Sequence, residues 1–289
     1  MGVTVRIRAG AVAAIGLVLV AAIGLYVGNR DFAPDLKLPR PSSRACVVQA
    51  DGEVSLNAEQ MAHAATIAAI GVQRGMPERA VVVALATALQ ESKLENLSGG
   101  DRDSVGLFQQ RPSQGWGTAK QIGDPRYAAT KFYAALKKVR GWERLRVTEA
   151  AQRVQRSAYP EAYQKWADES AVLTNALLGN ATGAVACTVD GEPAMRGPAA
   201  AEALVTGMRL DWGRLETTSP TELTGLAVPA ASAKAGWRYA HWLVSHATDH
   251  GVKRVRFGEL EWTASAGSWA KIGGTVNGGQ VVAEVFSAP

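Results

Sequence analysis

Hydrophobic and polar positions divide the chain into stretches of different character. From Ala9 to Asn29 no side chain is charged at neutral pH, and an uncharged run of about 20 residues can span a bilayer core of roughly 30 Å. Arg6 and Arg8 precede it, which would place the N-terminus in the cytoplasm and the remainder outside. A cleaved signal peptide is the rival reading, but its apolar region covers only about 7–15 residues and ends in a small-x-small site. No clear site of that kind stands near Tyr26, so residues 1–30 read as a short cytoplasmic stub and an uncleaved transmembrane anchor. Residues 31–45 carry three prolines and little periodicity, the signature of a semi-stiff linker.

Between residues 46 and 190 the pattern is helical. Asn57 with Gln60 forms a capping-box pattern, and Leu56 with Met61 is spaced as a hydrophobic staple. That helix should run to about Gly75. Pro77 and Glu78 suit a second helix start, which should reach Ser92. Its body, Val81 to Leu89, has no polar stripe, as expected of a helix buried on all sides. Asp124-Pro125, Thr148-Glu149 and Pro160-Glu161 mark further starts. With no convincing hairpin among them, these signals predict an all-α domain.

After Cys187 the composition changes. Residues 191–289 read as a small α+β module: a linker entering a helix, a long loop, a helix over Trp237–His250 capped by Gly251, and strands at VKRVRF, ELEWTA and QVVAEVF. The whole is therefore expected to be mainly α, with an anchor, a helical domain at 46–190 and this module of unassigned role.

Composition adds little to that picture. The chain of 289 residues, with a net charge of +5 spread along its length, fits attraction to anionic polymers and gives no nucleic-acid footprint. Cys46 and Cys187 are the two cysteines; outside the cytoplasm such a pair can oxidise, and a loop of this size would gain about 4–5 kcal/mol in the chain-entropy model. His246 and His250 stand at i and i+4 beside His241, but no third ligand lies at a telling spacing, and neither a metal nor a cofactor is expected. No phosphate-binding glycine loop, Ser-His-Asp order or CxxC occurs.

The chemistry is expected at Glu91. On its helix it shares a face with Ala84, Thr87 and Ala88, small neighbours that leave room for a ligand, and an apolar setting that disfavours a carboxylate relative to the neutral acid. On position alone, a solvated helix end or pairing with Lys93 or Arg111 is the commoner fate of such a residue. The residues that follow alter the balance: Glu91-Ser92, then Gly100-Asp101-Arg102 with Ser104, then Gly106-Leu107-Phe108-Gln109-Gln110 and Gly115-Trp116-Gly117.

In order and spacing this stretch resembles the catalytic core of goose-type lysozymes and soluble lytic transglycosylases, with Phe108 in place of the usual methionine. The resemblance covers roughly residues 46–187 and implies a lysozyme-like fold, Glu91 as the catalytic acid, Asp101 as a water-positioning aspartate, Gln109 and its loop as sugar-binding elements, and Ser92 in support of them. Ser104 and Gln110 belong to the same expected binding set. Ser157-Ala158-Tyr159-Pro160 is similar to the family's Ala-Tyr-Asn motif, though proline replaces the asparagine. Among the aromatics, Trp116 and Tyr159 are expected on sugar faces, while Tyr127, Tyr133, Trp142, Tyr163 and Trp166 fit ordinary core packing. A second aspartate is missing: Gln110-Arg111 stands where the goose-type pattern has one.

Taken together, these readings describe a single-pass bacterial membrane protein, its bulk extracytoplasmic, that cuts the β-1,4 bond between N-acetylmuramic acid and N-acetylglucosamine in peptidoglycan strands. The alternative is a lysozyme-like wall-binding or scaffold protein of the cell envelope, weak or inactive in catalysis, with residues 191–289 engaging a partner.

Overall fold

Polar anchoring at each end of the first long helix shows how local sequence becomes tertiary order. A computed structural model describes residues 46–191, 193–220, 222–274 and 279–288. Strand β1 (Cys46–Gln49) turns directly into β2 (Glu53–Leu56), and helix α1 (Ala58–Gln73) follows. Asn57 Oδ1 accepts from Gln60 N–H at 2.8 Å and Gln60 Oε1 accepts from Asn57 N–H at 2.9 Å, satisfying two donors that a helix start would otherwise leave open. Near its other end Gly71 admits Tyr133, whose hydroxyl donates to the Ile67 carbonyl at 2.9 Å; a Cβ on Gly71 would lie 2.8 Å from that hydroxyl.

Helix α2 (Glu78–Ser92) is buried along most of its length, from Ala80 to Leu89. It packs against α1, α5 (Val147–Gln155) and α6 (Ala167–Leu177), while α4 (Pro125–Leu136) crosses α1 and α2. A short helix, α3 (Ala119–Ile122), leads into α4, which Asp124 caps. The helix expected from Pro160 begins instead at Ala167. Residues Pro160–Tyr163 form a turn and Gln164–Trp166 a 3-10 turn.

Strand β3 (Val185–Cys187) returns to pair antiparallel with β1, giving a three-stranded sheet of order β2-β1-β3. Cys46 stands opposite Cys187, and the two are joined as a disulfide across 141 positions of sequence. Past it come α7 (Gly197–Trp212), β4 (Gly225–Pro229), α8 (Ala233–Ser245), α9 (Ala247–His250), and strands β5 (Val252–Phe257), β6 (Leu260–Thr263), β7 (Trp269–Lys271) and β8 (Gln280–Val285). They build an antiparallel sheet of order β4-β8-β5-β6-β7.

A mainly α fold with an all-α helical domain is therefore corrected. Of the described residues 46% are helical and 16% strand, with two antiparallel sheets, and the helical region is closed by one of them. Strands β1 and β2 are only four residues each, too short for an alternation to register, and β3 has meaning only through its distant partner. The membrane assignment is corrected as well. No helix among the described residues is long and apolar enough to cross a membrane; the span expected at Ala9–Asn29, and the linker after it, fall outside those residues, and the single-pass location is not retained.

One apolar core runs from Val48 and Met61 through Leu85 and Phe132 to Leu243 and Val281. Polar groups pin the C-terminal elements onto it. His241, fully buried, donates from Nδ1 to the Ala176 carbonyl (2.8 Å) and accepts at Nε2 from Ala184 N–H (2.9 Å). Trp269 and Trp262 donate to the Val185 and Cys187 carbonyls of β3 at 2.7 and 3.2 Å. Asp211, also fully buried, accepts from Thr66 and Trp242 at Oδ2 (2.8 Å each) and from Arg126 at Oδ1. His246 and His250 stack beside Trp242, with His246 hydrogen-bonded to the Trp242 carbonyl and to Thr66. Among the described residues no group of three or more His, Cys, Asp or Glu side chains is placed to hold a metal.

Candidate active site

Helix α2 ends where two residues in succession, Lys93 and Leu94, take positive φ. The chain thereby leaves the helix sharply, and Glu91, half-buried in the last turn, reaches the wall of an open groove of about 530 Å³. Tyr163 Oη donates to Glu91 Oε1 at 2.6 Å, and Gln155 Nε2 donates to the same oxygen at 3.2 Å while also reaching the Phe108 carbonyl at 2.7 Å. No hydrogen bond reaches Oε2 among the described residues. Two donors on one oxygen fix the carboxyl group and leave the other oxygen unengaged.

The turn that carries Tyr163 is held from several directions. Trp166 Nε1 donates to Gln90 Oε1 at 2.9 Å, Lys93 Nζ lies 4.0 Å from the Trp166 ring centroid, and Thr148 Oγ1 donates to the Pro160 carbonyl. Arg146 grips Glu161 with two bonds of 3.1 Å. These contacts explain why helix α6 starts late: a helix opening at Pro160 would give up the turn that seats Tyr163 in the core beside Glu91. Burial and the neighbouring Glu91 carboxylate push the Tyr163 hydroxyl well above the usual phenol range, so it stays a proton-bearing donor.

The opposite wall is the loop from Asp101 to Trp116. Ser92 fastens it: its Oγ donates to the Leu107 carbonyl at 2.8 Å and to the Ala88 carbonyl at 3.1 Å. Val105 and Gln110 then pair through reciprocal backbone bonds of 3.0 and 3.1 Å. Gly106 sits at φ +76, and a Cβ there would meet the Ile122 carbonyl at 2.7 Å; only glycine fits at low cost. Phe108 is buried and stacks on Phe132 with ring centroids 4.7 Å apart, so it serves packing.

Asp103 braces the loop from below. Its carboxylate accepts from Arg111 Nε (2.8 Å), Ser113 N–H (2.7 Å) and Ser113 Oγ (3.0 Å), and these donors hold its carboxyl well below the ordinary aspartate range. Both its oxygens are in use, whereas Asp101 stays exposed on the rim, 4.0 Å from Arg102.

Seven of the residues expected from sequence line the groove together: Glu91, Asp101, Ser104, Gln109, Gln110, Trp116 and Tyr159. Ser92 does not line it and acts through the Leu107 carbonyl. Gln109 takes a left-handed backbone at φ 46 and donates to the Gly106 carbonyl at 3.1 Å. Gln110 is buried, with Nε2 on the Ala128 carbonyl at 3.2 Å and no partner for Oε1. Tyr159 is 74% exposed at the edge, where a ring face is open to a ligand. His241, His246 and His250 lie in the core packing described above and form no part of the groove.

Two residues that touch Glu91 escape a reading of the sequence by position: Gln155 and Tyr163. For Tyr163 a signal existed. Ala162-Tyr163-Gln164 keeps a side-chain amide after the tyrosine, closer to Ala-Tyr-Asn than Ala158-Tyr159-Pro160 is. No protein-family model and no curated protein matches this chain.

Proposed function

We propose that the protein is a peptidoglycan-cleaving glycosidase that uses Glu91 as its single acid/base. The observation that carries the reading is the Glu91 carboxyl group itself: one oxygen is held by Tyr163 and Gln155, the other has no hydrogen bond among the described residues, and the residue lines a groove with Gln109, Trp116 and Tyr159. An acid held in this way can protonate a leaving glycosidic oxygen as positive charge develops on the sugar ring. Trp116 and Tyr159 offer flat faces to sugar rings.

After bond cleavage Glu91 would take a proton from the incoming nucleophile. Asp103 is saturated by Arg111 and Ser113, and Gln110-Arg111 follows Gln109, so a second carboxylate to fix a water is weakly provided. That shortage favours attack by the substrate's own 6-hydroxyl, which makes a lytic transglycosylase; hydrolysis with Asp101 orienting a water is the lesser variant. The test is incubation with purified peptidoglycan beside the Glu91→Gln variant, with released fragments analysed by mass spectrometry. Anhydromuramyl ends are expected from the unmutated protein alone. Hydrated reducing ends would shift the product to that of a lysozyme, and no release from either protein would leave a wall-binding scaffold as the better description.

A further inference from the structure

A second cavity, of about 720 Å³, adjoins the Glu91 groove, and Gln114, Trp116, Gln155 and Arg156 belong to the walls of both. Beyond that shared wall its lining is Lys138, Arg140 and Arg153 around Ala135, Val139 and Val154. With Arg156 it holds four cationic side chains and no acidic one. Glu149, one turn before Arg153 on α5, turns to Arg146, with Arg153 only a weaker influence on it. Arg146 gathers Glu161 as well, and the four cations of the cavity make no ion pair among the described residues.

Helix ends are the competing explanation for so much charge. Helix α4 finishes at Leu136 and α5 at Gln155, and a helix C-terminus attracts cations. Each such end is equivalent to about −0.5 of a charge, so two of them offset about one of the four cations and leave a surplus of about three. Like charges gathered round a cavity with low-dielectric walls raise the local concentration of anions. Arginine forks also suit planar oxyanions, which they bind through paired N–H donors.

We infer that this cavity is an anion-binding extension of the groove, which takes an oxyanion-bearing branch of the glycan whose backbone lies against Glu91. The inference rests on the peptidoglycan reading above. In that substrate the natural branch is the short peptide on the muramic acid lactyl group, whose free carboxylates project away from the sugar backbone. A phosphate carried by a polymer attached to the same sugar offers the same chemistry. Trp116, on the shared wall, would mark the point where backbone and branch part.

The experiment is calorimetric binding of three soluble ligands to the full chain: a disaccharide bearing its peptide, the same disaccharide without the peptide, and a peptide-free disaccharide bearing a phosphate. It is repeated with the Arg140→Ala/Arg153→Ala variant and with Arg140→Lys/Arg153→Lys; both side chains are exposed, so the fold should persist. The peptide-bearing ligand is expected to bind at least about tenfold tighter than the bare one, with the alanine variant losing about that factor and the lysine variant, which keeps the charge without the fork, losing part of it. The bare disaccharide should bind all three proteins within about twofold, and the preference should shrink as salt rises. Equal affinity for charged and uncharged ligands, or a preference untouched by the alanine variant, would overturn the inference. Preference for the phosphate over the peptide would support the anion site and name phosphate as the source. Loss of glycan cleavage with the preference intact would fell the glycosidase reading alone; cleavage without any preference would fell this one alone.

Discussion

Two carboxylates in this molecule are held by aromatic donors, and they end up in opposite situations. Asp211 lies in the core with both oxygens occupied, Oδ1 by Arg126 and Oδ2 by Thr66 and Trp242. Glu91 lines a groove and has one oxygen occupied, by Tyr163 and Gln155, with no hydrogen bond to the other among the described residues. A buried carboxylate with both oxygens engaged is fixed and chemically silent, and removing it leaves uncompensated partners. A carboxylate with one engaged oxygen keeps its aim and still has an atom to react with.

The largest effect should come from Glu91→Gln. Turnover of peptidoglycan should fall by about 10²–10⁴-fold, the range for loss of a general acid, while the melting temperature moves little. Asp211→Ala should do the reverse. Breaking a buried charged pair costs about 3–5 kcal/mol, which corresponds to a melting temperature lower by roughly 6–20 °C in a chain of this size, with kcat at low temperature nearly unchanged. Parallel loss of activity and stability in both variants would erase the distinction between the two sites.

A smaller effect is carried by pH. Burial lowers His241 to about 4 and His246 to about 3 from an ordinary 6.5. Below 6.5 the unfolded chain takes up protons that the folded one refuses, so stability is full above that point and declines as pH falls through the window down to about 4 and 3. Each histidine contributes a slope of about 1.4 kcal/mol per pH unit there. Burial lowers His250 as well, so denaturant titrations between pH 7 and 4 would show the combined slope, and His241→Gln should remove only its own share of it; a curve left as steep would point to carboxylates instead. The mildest change is Tyr163→Phe. It removes one hydrogen bond to the Glu91 carboxylate, worth about 1.5–3 kcal/mol, and is expected to lower kcat by about tenfold to a hundredfold with KM nearly constant. A KM effect alone would place Tyr163 in binding and not in holding the acid.

Legibility followed physical range. The Asn57–Gln60 cap, the buried α2 and the Gly106-to-Gln110 loop are written in neighbouring residues, and short-range rules find them. The disulfide was accessible because only two cysteines exist. Strand β3, three residues long, pairs with β1 across most of the helical region, and no local pattern can announce such a pairing. Tyr163 and Gln155 reach Glu91 from 72 and 64 positions away. They are common side chains in unremarkable local settings, and only the late start of α6 and the end of α5 give them a role. Tyr159, chosen from sequence for its place in a motif, lines the rim, while the tyrosine four residues on makes the contact with the acid.

The bridge between Cys46 and Cys187 also decides how the molecule would respond to being pulled. Tension applied on the N-terminal side of Cys46 and at a point beyond Cys187 would cross from β1 to β3 through the sulfurs. Everything from Val47 to Ala186, including Glu91 and both walls of its groove, would lie off the line of force and be spared stretching, whereas the five-stranded sheet would bear the load. Reducing the bridge would put the groove back into that line.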